Sequence, residues 1–142
     1  MGKEYNLERF IKAQEGVYET AHAEICQGRK QTHWMWYIFP QLQGLGFSGT
    51  SRFYAIQDLE EAASYLRHPL LGSRLIRICQ ALLVVENSTA SQVFGSPDDV
   101  KLKSSMTLFS FVPDADAIFK QVLDKYFSGS KDAKTIELIT NM

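Results

Sequence analysis

The most aromatic stretch of the chain is the run His-Trp-Met-Trp-Tyr-Ile-Phe-Pro-Gln-Leu at residues 33–42, here called the aromatic segment. It contains both tryptophans of the 142-residue chain and one of its three histidines. Residues 34–39 are apolar on every side, which is typical of an element buried in a core. Pro40 can neither continue a helix nor donate a hydrogen bond to a sheet, so the element is predicted to end there.

The secondary structure of the aromatic segment is ambiguous by pattern alone. Its aromatic and branched residues favour a strand, but no other part of the chain reads as a partner strand, and a strand without a partner leaves its backbone groups unpaired. We therefore predict a short buried helix over residues 33–39. In that helix His33, Trp36, Tyr37 and Pro40 share one face, while Trp34 points elsewhere.

The rest of the chain reads as a succession of helices. Apolar residues at helical spacing predict helices over residues 7–27, 69–86, 97–110 and 115–128. Start signals precede these and further short helices, which are Asn6, Thr50 or Ser51, Asp58 with Glu61, Pro69, Ser88 or Thr89, Ser96 with Pro97, Pro113 with Asp114 or Asp116, and Asp132. The sequence thus predicts an all-α fold of about seven to eight helices in one domain over residues 1–142, with its core at about 7–139.

Composition excludes several classes of protein. The chain is 45% hydrophobic and 22% charged with a net charge of −1, so we expect no binding to nucleic acid. It contains no apolar run long enough to cross a membrane and no apolar signal region, which predicts a cytoplasmic protein without a membrane contact. Its two cysteines, Cys26 and Cys79, are predicted to be packed thiols in a reducing compartment.

The aromatic segment resembles the hallmark of a known family, number 1810 among the domains of unknown function, some members of which carry the label calpastatin. The same family pattern is similar to further short runs of the chain, namely Ala13-Gln14, Tyr54-Ala55-Ile56, His68-Pro69 with Leu71-Gly72, and Lys101 with Ser104-Ser105-Met106-Thr107-Leu108-Phe109. The resemblance spans roughly residues 7–139. It implies a mostly helical compact domain, and it implies no activity, cofactor or catalytic residue.

The first candidate site lies at the aromatic segment and the glycine-rich loop that follows it. His33 could act there as an acid, a base or a ligand contact, or it could be a purely structural residue. A planar ligand could stack on Trp36 or Tyr37. Glycines with positive φ could aim backbone N–H groups at an anion, helped by hydroxyl groups and a cation, or the loop could be a plain connection. The ligand-binding residues predicted here are Trp36, Tyr37, Gln41, Gly44, Gly46, Ser48, Ser51 and Arg52.

The second candidate is Lys101 with Ser104, three residues apart and therefore on one face of a helix. A lysine beside a serine can activate it as a nucleophile. The alternative, which we favour, is that the small hydroxyl residues permit close helix packing and bond back to a carbonyl one turn earlier.

Other polar residues are assigned ordinary roles. His22 and Glu24 are placed on the polar side of the first helix, and Asp98 is explained by its position at a helix start. His22, His33 and His68 are isolated in sequence, so no metal site and no cofactor are predicted.

Two hypotheses for function remain. The first is a small-ligand site, with or without catalysis, for an anionic or nucleotide-like molecule. The second is a protein-interaction module in which the aromatic segment is only core. A concave pocket lined by polar groups of residues 33–51 favours the first, whereas an exposed apolar patch favours the second. The sequence leaves the identity of the small molecule and the oligomeric state open.

Overall fold

The computed structural model describes residues 5–142, and the first four residues of the predicted domain lie outside them. The described residues form ten α-helices, which are α1 Glu8–Gln14, α2 Tyr18–Cys26, α3 Met35–Ile38, α4 Gly49–Tyr54, α5 Leu59–Arg67, α6 Pro69–Val84, α7 Ala90–Phe94, α8 Asp98–Ser110, α9 Ile118–Phe127 and α10 Ala133–Thr140. The predicted all-α fold class is confirmed. The predicted number of helices was too low.

Five of the ten described helices, α4 to α7 and α10, begin where a side chain accepts a hydrogen bond from a free backbone N–H. Asp58 accepts from the N–H of Glu61 at 2.9 Å at the start of α5, and Asp132 accepts from the N–H of Thr135 at 2.9 Å at the start of α10. Pro69 occupies the first turn of α6, where its missing N–H costs nothing. These three starts are confirmed. In each case a short-range signal is sufficient to position the helix.

The single helix predicted over residues 7–27 is wrong. Gly16 has φ +69°, a conformation that a right-handed helix excludes, and it separates α1 from α2. Asn6 is not a cap, because Leu7 precedes α1 and no side chain caps it. The predicted start at Ser96 with Pro97 inside the helix is also shifted, since α8 begins at Asp98.

The aromatic segment contains less helix than predicted. Only the four residues of α3 are helical, and Trp36 and Tyr37 are partly exposed rather than inaccessible. Phe39 leaves the helix at φ −124° because it precedes Pro40, whose ring disfavours helical angles in the preceding residue. At the other end Trp34 has φ −144° and ψ 5°, which lie outside the helical region, so the helix does not extend back to His33.

The core of the described residues is one cluster of buried apolar side chains, to which the aromatic segment contributes its largest member, Trp34. The Trp34 ring lies 6.1 Å from Phe39 and 6.3 Å from Phe94, measured between ring centroids. α6 runs through the middle and packs against α2, α5 and α9. The aromatic segment is therefore anchored in the core on one side.

On its other side the aromatic segment leads into residues 43–56, here called the site loop, which contains α4. A single parallel bridge closes this loop, with the N–H of Gln43 donating to the carbonyl of Ile56 and the N–H of Ile56 donating to the carbonyl of Gln41, both at 2.8 Å. Residues 5–142 contain no β-structure beyond this bridge. The two ends of the site loop are therefore adjacent in space.

Arg9 of α1 fastens the end of the site loop. Its Nε donates to the carbonyl of Phe53 and one terminal nitrogen donates to the carbonyl of Ala55, each at 2.8 Å. The other terminal nitrogen pairs with the fully buried Glu61 carboxylate at 2.9 Å. A charged fork with this many acceptors is strongly oriented, so it holds the loop in a defined position.

Candidate functional site

A cavity of about 400 Å³ lies between the aromatic segment and the site loop, and we call it the aromatic cavity. Its lining comprises Trp36, Gln41, Leu42, Gln43, Gly44, Leu45, Gly46, Phe47, Ser51, Arg52, Tyr54 and Ala55. Six of the eight predicted ligand-binding residues are in this set, namely Trp36, Gln41, Gly44, Gly46, Ser51 and Arg52. Two predicted members, Tyr37 and Ser48, are not.

Aromatic rings form the walls of the cavity. Trp36 is half-buried, and the ammonium of Lys101 lies 3.9 Å from its ring centroid, which is a close cation–π contact. Tyr54 packs against Tyr37, which is not in the lining, with 5.2 Å between the two ring centroids. Phe47 stands at the rim with 80% of its surface exposed. Tyr37 therefore supports a wall from outside the cavity.

The only charged side chain of residues 5–142 in the lining is the guanidinium of Arg52. Arg52 is exposed and has no ion-pair partner among the described residues. No aspartate or glutamate of residues 5–142 lines the cavity. An uncompensated cation beside apolar and aromatic surface attracts an anion, because nearby carboxylates do not neutralise its charge.

The loop hydroxyls are engaged within the loop itself. Ser48 caps α4, with its Oγ accepting from the N–H of Ser51 at 3.1 Å, and the Oγ of Ser51 donates to the carbonyl of Ser48 at 2.9 Å. α4 accordingly begins at Gly49, two residues before the predicted Ser51 and one before the predicted Thr50. The two serine hydroxyls thus shape the loop, and their predicted donation to an anion stays a prediction.

The predicted positive φ holds for only one of the two glycines that line the cavity. Gly44 has φ +98°, but Gly46 does not lie in the left-handed region. A Cβ added at Gly46 would lie 2.7 Å from Oγ and 2.8 Å from Cβ of Ser51, and 3.8 Å from the ring of Trp36. Gly46 is therefore required for close approach between the loop and α4, beside the wall that Trp36 forms.

The other tryptophan is held by a buried carboxylate. Glu24, which the sequence places on a polar helix face, is only 7% exposed, and that prediction is wrong. Its Oε1 accepts from Trp34 Nε1 at 2.9 Å and from the N–H groups of Gln31 and Thr32, and its Oε2 accepts from the Thr32 hydroxyl. Burial raises the pKa of Glu24, but these hydrogen bonds outweigh it and lower the pKa to about 2. Glu24 is therefore ionised at neutral pH, and its carboxylate holds the backbone that leads into the aromatic segment.

Asp98 binds two lysines, each of which lies against one of the two tryptophans. Asp98 pairs with Lys30 at 2.9 Å and with Lys101 at 3.1 Å. Lys30 lies 5.1 Å from the ring centroid of Trp34, and Lys101 lies over Trp36. Burial raises the pKa of Asp98, but the two lysines outweigh it and hold the pKa below its usual range. Asp98 thus does more than begin a helix, because it orients the lysine that covers the cavity wall.

Comparison with known proteins finds one family and one solved structure to which the chain is similar. The family model described as protein of unknown function (DUF1810) matches residues 4–139. The chain belongs to this family. It is also similar to a solved structure, the crystal structure of the conserved hypothetical protein Rv1873 from Mycobacterium tuberculosis, with 45% sequence identity and a TM-score of 0.94. That match covers 96% of this chain and 97% of the other. No curated protein gives a significant match.

Within this DUF1810 domain, His33 lies apart from the aromatic cavity. It is exposed, it is not in the lining, and its carbonyl oxygen accepts from the Tyr37 hydroxyl at 3.2 Å. The backbone of His33 therefore helps to orient Tyr37, whereas the catalytic role predicted for its imidazole stays a prediction.

Lys101 and Ser104 form no hydrogen bond with each other, and each has another partner. Lys101 is engaged by Asp98 and the Trp36 ring, and the Oγ of Ser104 donates to the carbonyl of Val100, one turn earlier, at 3.2 Å. Ser104 is 2% exposed. The hydrogen bond of Ser104 is the packing alternative that the sequence favoured. Lys101 instead contacts the ring of Trp36, which lines the aromatic cavity.

The remaining candidate groups lie elsewhere. Cys79 is buried as predicted, but Cys26 is exposed and its Sγ lies 3.7 Å from Nδ1 of His22, so the prediction of two packed thiols is wrong for Cys26. Among residues 5–142 no three histidine, cysteine, aspartate or glutamate side chains converge on a point. None of the helices described in that range is long and apolar enough to span a bilayer.

Sequence reasoning missed half of the lining, namely Leu42, Gln43, Leu45, Phe47, Tyr54 and Ala55. The available signal for Tyr54 and Ala55 was the family pattern, which includes Tyr54-Ala55-Ile56. Polar and apolar residues alternate from Gln41 to Leu45, and this pattern does not predict that both kinds line a cavity. They do so only because the loop closes.

Proposed function

We propose that the chain is a small-ligand-binding domain, and that the aromatic cavity holds a small planar anion. The observation that carries this proposal is the position of Arg52. Its guanidinium lines a cavity walled by Trp36 and Tyr54, and it has no ion-pair partner among residues 5–142. A planar ring stacks on the aromatic walls while its negative group pairs with Arg52.

The size and character of the cavity support this proposal. A volume of about 400 Å³ falls in the range of small-molecule sites, which are mostly apolar with a few polar groups that set orientation. Gln41 and Gln43 supply amide donors and acceptors beside Arg52. The proposal is of binding rather than catalysis, since the described lining contains no nucleophile next to a base.

One observation favours the alternative function, a protein-interaction module. Phe47 and Phe53 are 80% and 56% exposed, and both lie on the site loop. Large exposed aromatic residues are typical of interface anchors. In this alternative the partner covers the rim of the cavity, so mutation of Phe47 affects its binding and mutation of Arg52 does not.

A thermal-shift screen tests the proposal. The probes are benzoate, inorganic phosphate, ribose 5-phosphate, and nucleosides with their 5′-monophosphates. A ligand at 100 times its dissociation constant raises the free energy of unfolding by about 2.7 kcal/mol, which is readily measured as a higher melting temperature. We expect planar anions to stabilise the protein and inorganic phosphate alone to have little effect.

The matched variants are Arg52→Gln and Arg67→Gln. Both arginines are exposed and neither has an ion-pair partner within residues 5–142, but Arg67 lines other cavities. Arg52→Gln is expected to abolish the ligand-induced shift, and Arg67→Gln is expected to retain it. Equal shifts in the two variants, or no shift with any planar anion, would contradict the proposal.

A further inference from the structure

A second cavity, of about 360 Å³, adjoins the aromatic cavity. We call it the polar cavity, and its lining comprises Asn6, Arg9, Gln43, Arg52, Phe53, Ala55 and Gln57. Three residues, Gln43, Arg52 and Ala55, line both cavities. The two spaces are therefore neighbours with Arg52 at their common boundary.

The chemistry of the polar cavity differs from that of its neighbour. Two arginines and three amide side chains line it, and no aspartate or glutamate of residues 5–142 does. The charge of Arg9 is balanced by Glu61 at 2.9 Å, and its nitrogens are occupied by carbonyls at the end of the site loop. Arg52 remains as the uncompensated cation, and the exposed amides of Asn6 and Gln57 are suited to donate to oxygen atoms.

Within residues 5–142, an arginine without an ion-pair partner, in a lining free of carboxylates, distinguishes the two cavities around Arg52. A further cavity, beside α2 and α6, also lacks carboxylates, but its Arg77 is paired with Glu19 at 3.1 Å. A groove beside α5 includes Glu60 and Asp114, and the adjoining groove includes Asp114 and Asp116. The protein as a whole has 16 acidic and 15 basic residues, so its average surface is not cationic. The region around Arg52 thus has a local preference for negative charge.

We infer that the two cavities take one two-part ligand, of the class of nucleoside 5′-monophosphates. This inference rests on the proposed function of the aromatic cavity. The planar base occupies the aromatic cavity between Trp36 and Tyr54, and the phosphate lies beyond Arg52 in the polar cavity. A sugar separates base from phosphate in this class, which allows one molecule to reach across the shared boundary. A compact anion such as benzoate occupies the aromatic cavity alone.

Calorimetric titration of the full chain with adenosine 5′-monophosphate, adenosine, ribose 5-phosphate and benzoate tests the inference. We expect the monophosphate to bind about tenfold or more tightly than adenosine, as the gain of a charge-assisted hydrogen bond gives. The double variant Asn6→Leu/Gln57→Leu is expected to remove most of this advantage and to leave adenosine affinity unchanged. Neither side chain makes a described hydrogen bond that holds the fold, and Arg67→Gln is the control.

The outcomes separate this inference from the proposed function. If benzoate binds as tightly as the monophosphate, and the double variant changes nothing, the ligand occupies the aromatic cavity alone and the two-part ligand is wrong while the proposed function stands. If neutral adenosine binds as tightly as the monophosphate, the negative group makes no contribution and both proposals are wrong. If ribose 5-phosphate binds as tightly as the monophosphate, the base makes no contribution and the inference is equally wrong. If no planar probe binds, both proposals fail.

Discussion

Trp34 and Trp36 are two residues apart in the same segment, yet the fold uses them in opposite ways. Trp34 is 1% exposed, packs against Phe39 and Phe94, and donates its ring N–H to Glu24. Trp36 is half-buried, lines the aromatic cavity and contacts the ammonium of Lys101. Burial makes Trp34 a structural residue, whereas partial exposure leaves Trp36 available at the cavity.

Truncation of Trp34 is expected to lower the free energy of unfolding more than any other change, and truncation of Trp36 is its comparison. Trp34→Ala should lower the free energy of unfolding by about 3–5 kcal/mol, because it removes buried surface and leaves a cavity in the core. Trp36→Ala should cost distinctly less, since part of that ring is already in contact with solvent. Urea unfolding of both variants checks this order. Equal losses would show that the two rings have the same structural role.

The second prediction concerns the carboxylate that orients Trp34. Glu24→Ala should cost about 3 kcal/mol, because it leaves the indole N–H of Trp34 and two backbone N–H groups without their acceptor. Glu19→Ala is the matched control on the same helix, since its partner Arg77 is 48% exposed and solvent screens such a surface ion pair. Chemical denaturation of both variants measures the difference. A loss for Glu24→Ala no greater than that for Glu19→Ala would refute the assigned role.

The third prediction concerns the Trp36 side. Gly46→Ala should destabilise the protein by about 1–3 kcal/mol, because the new methyl group collides with Ser51 and forces the site loop away from Trp36. Gly49→Ala is the control, since a Cβ there meets nothing within 4 Å and its φ is not positive. Thermal unfolding, with ligand binding measured in parallel, distinguishes them. If Gly46→Ala behaves like Gly49→Ala, close approach of the loop is not required.

The fourth prediction is a pH dependence. The pKa of Glu24 in the folded protein is about 2, below its ordinary value of 4.5. Its stabilising contribution is therefore complete above pH 4.5 and is lost as the pH falls from 4.5 toward 2. In Glu24→Gln this part of the acid destabilisation should be missing, so its free energy of unfolding should fall less steeply over that window. Parallel pH profiles would contradict the assignment.

Local signals were sufficient to predict much of the fold. Asp58 and Asp132 each cap a helix through a contact within three residues, and Pro69 occupies the first turn of α6, so the sequence alone places those starts. Gly16 was missed because the apolar spacing continues through it, while its left-handed backbone breaks the helix. A side-chain pattern reports which face is buried, and it does not report where the backbone turns.

The site was predictable only where its residues are neighbours in sequence. Trp36, Gln41, Gly44 and Gly46 were found because the aromatic segment runs directly into the loop. Lys101 was singled out for a different partner, since a contact between residues 65 positions apart leaves no short-range pattern. Glu24 was misassigned for the same reason, because its acceptor role depends on Trp34 folding back onto α2.

Fluorescence of single-tryptophan variants shows whether Trp36 faces a ligand and Trp34 does not. Trp34→Phe leaves Trp36 as the only tryptophan, and Trp36→Phe leaves Trp34. Each folded variant is titrated with adenosine 5′-monophosphate while its tryptophan emission is recorded. We expect saturable quenching of Trp36 and almost no change of the buried Trp34. Quenching of Trp34 alone, or no saturable change in either variant, would contradict this account.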